Sequence, residues 1–265
     1  MKYGFIGTGN MAGALIKVCN DKVSSSEIAL SNRTREKARK LAKQYKNKLS
    51  TNIEIAKNCH YIVLGVKPQM MKDVLGEIKE VLNERDDFVL ITMAAGLKIG
   101  DYQEILNKKH PIIRIMPNTP VAVREGIILY TSENVEEEDL NEFLLDFSSA
   151  GLLLNVDEDH FDAAGTVSGC GPAFAEMMVE GLADGAVCCG LNRKQAIQLA
   201  AQMLVGSGKL VLESGRNPIE LKDEVTSPGG TTIEGVLKLE EKAVPSALAQ
   251  AVIASYEKND KLRSK

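Results

Sequence analysis

The stretch that decides the fold is Gly4-Phe5-Ile6-Gly7-Thr8-Gly9-Asn10-Met11-Ala12, close to the start of the chain. An apolar strand, Tyr3–Ile6, leads into it, and apolar side chains at helical spacing follow. The G-x-G-x-x-A pattern gives Gly7 a tight turn, lets a pyrophosphate approach the backbone at Gly9, and keeps helix and strand close at Ala12. Free N–H groups at the helix start would face the phosphates. We predict a dinucleotide-binding loop, with a plain glycine turn as the alternative.

The rest of the chain divides into two patterns. Up to about Val156, short β-rich runs alternate with amphipathic stretches such as Thr34–Tyr45, which is typical of a parallel sheet flanked by helices. The predicted strands are Tyr3–Ile6, Ile28–Ser31, Tyr61–Val66, Phe88–Thr92, Ile112–Ile115, Ile127–Tyr130 and Leu152–Asn155. Long helices rich in Ala, Leu, Met and Gly follow, predicted at Ala173–Cys189, Arg193–Glu213 and Ser246–Lys261. We predict an α/β fold with a Rossmann-like, doubly wound cofactor domain over residues 1–156 and an all-helical domain over residues 157–265.

The end of the second predicted strand bears on the choice of cofactor. It reads Ser31-Asn32-Arg33-Thr34 and lies about 20 residues beyond the glycine loop, where NAD-binding proteins usually place Asp or Glu on the ribose 2′-hydroxyl. Asn, Arg and Thr side chains can donate to a 2′-phosphate, which a carboxylate would repel. We predict NADP(H) in preference to NAD(H). The alternative is that Arg33 and Arg35 only begin a solvated basic face.

Composition excludes several classes of function. The 265 residues are 44% hydrophobic and 26% charged, with a net charge of −4, which opposes a broad nucleic-acid-binding surface. Apolar stretches fall short of the roughly 20 residues that a membrane span needs. The N-terminus runs directly into a strand without room for a cleavable leader, so we expect a cytoplasmic protein. The cysteines are an odd set without metal-ligand spacing, so we expect no metal and buried reduced thiols: Cys19, Cys59, Cys170, Cys188 and Cys189.

Further candidate ligand contacts lie at predicted strand ends, where open α/β sheets bind ligands. Val66-Lys67-Pro68 and Met93-Ala94-Ala95-Gly96 end two strands, and Met116-Pro117-Asn118-Thr119-Pro120 follows a third. In the helical half, Thr226-Ser227-Pro228-Gly229-Gly230-Thr231-Thr232 enters a helix. Glycines, hydroxyls and a helix N-terminus together form a neutral cradle suited to one carboxylate. The alternative for this segment is a capping box between Thr231 and Glu234.

With these motifs the chain resembles the pyrroline-5-carboxylate reductase family. The matching stretches are Gly4–Ala12, Val66-Lys67-Pro68, Asn118-Thr119-Pro120 with Arg124-Glu125-Gly126, Ser168-Gly169-Cys170-Gly171-Pro172-Ala173, and Leu221-Lys222-Asp223 leading into Thr226–Thr232. Cys170 departs from the usual serine, and Thr8 from the usual alanine. The resemblance implies an NAD(P)H-dependent imine reductase that converts 1-pyrroline-5-carboxylate to L-proline, the final step of proline biosynthesis. It also implies a homodimer that binds substrate across its interface, with a decamer as a further assembly.

The strand-end positions and the resemblance together give the predicted site. The predicted cofactor contacts are Ile6, Gly7, Thr8, Gly9, Asn10, Met11, Asn32, Arg33, Thr34, Asn52, Val66, Lys67, Pro68, Ala95 and Gly96. The predicted substrate contacts are Asn118, Ser168, Ser227, Gly229, Gly230, Thr231 and Thr232. Catalytic roles go to Thr232, whose hydroxyl would bond the ring nitrogen, and to Lys67. For Lys67 a cofactor contact is favoured over a role as an acid, and a solvated charge is the alternative. A bend between helices at Gly169–Pro172 is the alternative to a pocket-lining turn there.

Two other functions and one packing question stay open from sequence. A β-hydroxyacid dehydrogenase would share the two-part layout, but the Gly-x-x-Gly-x-Gly run ahead of its catalytic lysine is missing here. A non-catalytic NADP-binding sensor would have no use for the Ser227–Thr232 cradle. Gly181, Gly185, Gly206 and Gly208 each cost about 1 kcal/mol in a helix interior, which close helix packing within the chain or with a partner subunit would offset.

Overall fold

The structure is a computed structural model and describes residues 1–263. Its strands are β1 Tyr3–Ile6, β2 Ile28–Ser31, β3 Lys48–Leu49, β4 Tyr61–Leu64, β5 Val89–Thr92, β6 Ile112–Pro117, β7 Gly126–Glu133 and β8 Gly151–Asn155. Its helices are α1 Asn10–Cys19, α2 Arg35–Tyr45, α3 Asn52–Asn58, α4 Pro68–Asn83, α5 Ile99–Leu106, α6 Glu137–Asp146, α7 Phe161–Cys188, α8 Arg193–Ser214, α9 Pro218–Glu224, α10 Thr231–Glu241 and α11 Val244–Arg263. Short 3₁₀ turns lie at Ser25–Glu27, Thr119–Val123 and Ser148–Ala150.

The chain forms two compact units. The first comprises Met1–Gly169 together with the end of the chain from Lys258, and the second comprises Cys170–Glu257. The division falls inside α7, whereas the sequence pattern changes near Val156; the boundary after residue 156 stays a prediction. The predicted fold class, a Rossmann-like sheet followed by helices, is confirmed. In the described part of the chain, no helix is both long and apolar enough to cross a membrane.

The sheet of the first unit has eight strands in the order β3-β2-β1-β4-β5-β6-β7-β8. All neighbouring pairs are parallel except β6 and β7, which pair antiparallel, so β7 and β8 run opposite to the other six strands and the prediction of a parallel sheet is wrong for these two. Chain order reverses between β1 and β4, which is the switch point where such sheets bind ligands. The glycine loop follows β1 and therefore lies at that point.

Alternation of side chains along the strands produces a core on each face of the sheet. Tyr3 and Phe5 point to the face covered by α1, α2 and α6, while Ile6 joins the cluster with α3, α4 and α5. Strands β1, β2, β4 and β5 are buried throughout, as expected for a sheet covered on both faces.

Several predicted element bounds need correction. The strand predicted at Tyr61–Val66 ends at Leu64: the Gly65 amide makes one more bond to the Ile6 carbonyl, at 2.8 Å, and Lys67 then caps α4. The helix predicted from Ala173 begins at Phe161, so the turn predicted at Gly169–Pro172 is wrong. The two-residue strand β3 was not predicted, because it is too short to show a period.

Candidate active site

A cleft of about 700 Å³ opens at the carboxyl end of β1, β2 and β4 in the first unit. The glycine loop forms its floor, and the start of α2 forms one wall. The facing wall comes from the start of α3 and from one side of α4. Lining residues are Ile6, Gly7, Gly9, Asn32, Arg33, Thr34, Lys37, Asn52, Gly65, Val66, Lys67, Met70, Asp73, Val74 and Glu77. Nine of the predicted cofactor contacts are therefore in one cleft: Ile6, Gly7, Gly9, Asn32, Arg33, Thr34, Asn52, Val66 and Lys67.

The glycine loop is held closely against the adjoining strands. Gly7 has φ +99°, a conformation that side chains rarely adopt, and its amide donates to the Ser31 carbonyl at 2.8 Å. A Cβ placed on Gly7 would lie 2.6 Å from the Gly65 carbonyl oxygen. A Cβ on Gly9, in contrast, would meet no atom within 4 Å, so the backbone there faces open space. The loop is tight on the protein side and accessible on the cleft side, as close approach of a ligand requires.

The first turn of α1 offers unpaired donors to the cleft. Gly9 caps the helix without any side-chain hydrogen bond, and the first turn carries no acidic residue. A helix start of this kind attracts anions, since its N–H groups are unsatisfied and the helix dipole is positive there. The Thr8 hydroxyl is buried and has no hydrogen-bond partner among the described residues, although the Thr8 amide donates to Asn32 Oδ1 at 3.0 Å. A buried hydroxyl without a protein partner is free to bond a ligand in the cleft.

The walls of the cleft carry opposite charges. Arg33, Thr34 and Lys37 stand on the α2 side, and Asp73 and Glu77 face the cleft from α4. Asn32 shapes the basic wall, because its Nδ2 donates to the Thr34 carbonyl at 3.0 Å. A basic wall beside the end of β2 suits a phosphate on the ribose.

Loops that follow β4 and β5 carry further predicted cofactor contacts. Lys67 is the N-cap of α4 and Pro68 its first residue, a position that proline favours. The Lys67 side chain is exposed, and it forms no ion pair with the residues that the structure describes. Ala95 and Gly96 lie in the loop after β5, where Gly96 has φ +84° and Ala95 is exposed.

Asn118 and Ser168 are joined inside the first unit. Asn118 Nδ2 donates to the Ser168 carbonyl at 3.0 Å, and its Oδ1 accepts from the Ile127 amide at 2.8 Å. In a regular helix the Ser168 carbonyl would accept a hydrogen bond from the N–H of residue 172. That residue is Pro172, which has no N–H to donate. The Asn118 amide therefore replaces the missing donor and lets α7 continue through Pro172. The buried Ser168 hydroxyl has no partner among the described residues.

The second unit contains the other predicted binding element, between α9 and α10. Gly229 has φ +67°, and the Gly230 amide donates to the Ser227 carbonyl at 3.0 Å, closing a turn. A Cβ on Gly230 would lie 2.5 Å from the Ser227 hydroxyl. Gly230 caps α10 without a side-chain bond, so the capping box between Thr231 and Glu234 does not form. The amides of Thr231 and Thr232 thus begin an uncapped helix, with both side chains exposed.

The second unit leaves much of its apolar surface uncovered. Its buried apolar residues among those described are three alanines, Ala183, Ala196 and Ala200. Large apolar side chains are exposed along its helices, including Met177, Leu199, Leu210, Leu212 and Leu237. A Cβ on Gly181, Gly185, Gly206 or Gly208 would meet nothing within 4 Å, so packing within the chain does not explain these glycines. Exposed apolar area of this extent indicates a protein interface.

Three of the cysteine expectations also need correction, since Cys170 is half-buried and two others are exposed. Cys19 and Cys59 are buried, and burial raises the pKa of Cys59 to about 11. Cys188 and Cys189, predicted to be buried, are exposed at the end of α7.

Comparison with known proteins settles the family. A family model described as pyrroline-5-carboxylate reductase dimerisation matches residues 158–262. Pyrroline-5-carboxylate reductase of Escherichia coli is 38% identical over 265 residues, which covers 98% of each chain. The chain belongs to the pyrroline-5-carboxylate reductase family. The family member from Methanosarcina acetivorans is 37% identical over 269 residues, covering 100% of this chain and 98% of the relative.

Solved structures of the pyrroline-5-carboxylate reductase family share the whole architecture. The Coxiella burnetii reductase superimposes with a TM-score of 0.91 at 29% identity, covering 98% of both chains. The Plasmodium falciparum reductase, solved with NADP bound, has a TM-score of 0.85 at 32% identity, covering 99% of this chain and 98% of that one. A second family model, NADP oxidoreductase coenzyme F420-dependent, matches residues 2–96, which include the cleft.

Six cleft residues were missed by sequence reasoning: Lys37, Gly65, Met70, Asp73, Val74 and Glu77. Gly65 has a sequence signal, since a glycine directly after a buried strand indicates close backbone approach. Lys37 sits one turn into a basic helix face and looks like any solvated lysine. Asp73 and Glu77 lie on α4 at helical spacing, and only the packing of that helix turns them toward the cleft.

Proposed function

We propose that this chain reduces 1-pyrroline-5-carboxylate to L-proline with NAD(P)H, the last step of proline biosynthesis. The observation that carries the proposal is similarity along the full chain to reductases of this name, at 37–38% identity. The cleft geometry agrees, because a glycine loop with an uncapped helix start suits a pyrophosphate.

The cofactor is held in the first-unit cleft, and NADP(H) is preferred. When bound, the cofactor supplies the hydride. Gly7, Thr8 and Gly9 hold the pyrophosphate with Asn10 and Met11 at the start of α1. Asn32, Arg33, Thr34 and Asn52 bind the adenosine side, and no carboxylate follows β2 to repel a 2′-phosphate. Val66, Lys67, Pro68, Ala95 and Gly96 bind toward the nicotinamide end, with Lys67 as a cofactor contact.

The substrate carboxylate is held by the turn between α9 and α10. Gly230 has its amide engaged with Ser227, which leaves the amides of Thr231 and Thr232 as donors to an anion. The Thr232 hydroxyl bonds the ring nitrogen, which already carries the proton of the iminium. Hydride addition at the ring carbon then yields the neutral amine of proline, so no separate acid is needed. Asn118, through Ser168, keeps α7 in place, and the Ser168 hydroxyl and Gly229 complete the substrate contacts.

Steady-state oxidation of NADPH tests this function, with 1-pyrroline-5-carboxylate as substrate and pyrroline-2-carboxylate as a competing imine. Turnover only with a hydroxyacid in the reverse direction, or none at all, would overturn it. Thr232→Ala should lower kcat/KM by about 10- to 100-fold, the range for a lost hydrogen bond to a charged group. Thr232→Ser and Thr231→Ala are the matched controls, because each variant keeps a hydroxyl group on residue 232. Full activity of Thr232→Ala would remove the role given to that hydroxyl.

The chain acts as a homo-oligomer, with a dimer formed through the second unit as the basic unit. The exposed leucines and open glycines of α7, α8 and α10 support this arrangement. A decamer built from such dimers and a cytoplasmic location complete the proposal. Light scattering on the purified protein measures the assembly size directly.

A further inference from the structure

We propose that Glu77 positions Asn52 for binding the adenosine half of the cofactor, a role that rests on the proposed function. Glu77 lies on α4, at the acidic wall of the cleft, and does not belong to any motif that marks the glycine loop. It acts through Asn52 and is therefore a positioning residue. Its effect should appear as cofactor affinity and leave the chemical step unchanged.

Asn52 stands between two partners at the first position of α3. The Ser31 hydroxyl donates to Asn52 Oδ1 at 2.7 Å, and Asn52 Nδ2 donates to Glu77 Oε2 at 2.7 Å. Ser31 ends β2, beside the place where this fold binds the adenosine ribose. The relay therefore fixes one side chain between the end of β2 and the middle of α4.

Glu77 decides which way the Asn52 amide points. A hydroxyl such as that of Ser31 can donate or accept, so it would pair with either end of the amide. An ionised carboxylate can only accept, so Glu77 requires the amide nitrogen on its side. With one N–H used by Glu77, the second N–H of Asn52 has no partner among the described residues. This N–H is the donor that Asn52 would offer to the ribose.

A purely electrostatic role for Glu77 makes the opposite prediction. Asp73 also faces the cleft, one turn earlier on the same helix, and forms no hydrogen bond to Asn52. If both carboxylates only repelled the cofactor phosphates, removing either one would tighten binding. If Glu77 positions Asn52, removing its side chain weakens binding despite the loss of negative charge.

Titration calorimetry with adenosine 2′,5′-bisphosphate tests the inference without requiring turnover. Glu77→Ala should weaken binding by about three- to tenfold, as expected for one lost hydrogen bond. Glu77→Gln still pairs with Asn52 but allows either orientation of its amide, so loss of about half of the correctly oriented side chains keeps binding within about twofold of wild type. Asp73→Asn should bind at least as tightly as wild type. In kinetics, Glu77→Ala should raise the KM for NADPH and NADH while kcat and Tm stay at wild-type values.

Three results would overturn the role of Glu77: unchanged or tighter binding by Glu77→Ala, an equal loss in Glu77→Gln, or an equal loss in Asp73→Asn. A wild-type protein that does not bind the bisphosphate would overturn it as well. Wild-type protein that binds the bisphosphate but does not reduce the imine would remove the proposed function alone. The two failures are thus distinguishable.

Discussion

Replacing Arg114 with methionine should destabilise the first unit, because two carboxylates lose the cation between them. The Arg114 guanidinium is 3% exposed and lies 2.9 Å from Glu158 Oε1 and 3.1 Å from Asp162 Oδ1. It also lies 4.3 Å from the centre of the Phe161 ring. Glu158 in turn accepts from the Ile99 amide at 3.1 Å, at the start of α5. Arg114 therefore connects β6 to the first turn of α7, and Glu158 extends the link to the start of α5, which follows the loop with Ala95 and Gly96.

The size of the effect follows from burial. Breaking a buried ion pair from one side costs about 3–5 kcal/mol. Glu158 and Asp162 are 27% and 14% exposed, so water compensates in part and the lower end, about 3 kcal/mol, applies. For a chain of this size that corresponds to a fall in Tm of about 6–12 °C. Thermal unfolding followed by circular dichroism measures it.

A charge-cancelling control sharpens this test. Arg114→Met combined with Glu158→Gln and Asp162→Asn removes both negative charges that faced Arg114, so most of the lost stability should return. Arg114→Lys keeps the charge but cannot reach both carboxylates in the same planar geometry, and should fall between wild type and Arg114→Met. Wild-type Tm in Arg114→Met, or a triple variant no better than the single one, would refute the reasoning.

Three further predictions concern assembly, the glycine loop and pH. Leu212→Glu should give monomers by light scattering, because it places a charge at a leucine that is 74% exposed in the second unit. The control Leu145→Glu, at a leucine of α6 that is 66% exposed, should leave the dimer intact. A dimeric Leu212→Glu would contradict the interface. Gly65→Ala places a Cβ 2.8 Å from the Cβ of Ala12. It should lower the free energy of unfolding, measured in urea, by about 1–3 kcal/mol and should weaken binding of the bisphosphate. Wild-type values in both measurements would refute the close contact. Burial lowers the pKa of His110 below its ordinary 6.5, so the unfolded chain binds the proton more readily, and stability should fall as pH drops below about 6.5. His110→Gln should reduce that dependence in urea midpoints, and an unchanged slope would exclude His110 as its source.

The sheet and the glycine loop were predictable because their signals are local. Each of β1, β2, β4 and β5 is buried along its whole length and reads as a short apolar run, and the glycine loop follows the first of them directly. The acidic wall was not predictable in the same way. Glu77 and Asp73 have the helical spacing of any solvated face, and the partner that gives Glu77 a role, Asn52, is 25 residues away in sequence.

The helices of the second unit were predictable in type but not in burial. Their apolar residues suggest a core, and in a single chain most of these side chains stay exposed. Cys188 and Cys189 were expected to be buried for this reason, and the structure places them outside. Sequence periodicity indicates which face of a helix is apolar. It does not show whether the same chain or a partner subunit covers that face.

The turn wrongly predicted at Gly169–Pro172 shows how a distant residue overrides a local signal. Two glycines and a proline within four positions normally end a helix, because proline leaves the carbonyl four residues earlier without a donor. Here that carbonyl belongs to Ser168, and Asn118 donates to it from 50 residues earlier in the chain. The same amide holds β7 through the Ile127 amide, so both of its polar atoms serve the backbone. In sequence, the Asn-Thr-Pro stretch and the Gly-Cys-Gly-Pro stretch look like two separate loops. In the structure they are joined by this hydrogen bond, which keeps α7 continuous past the buried Ser168 hydroxyl.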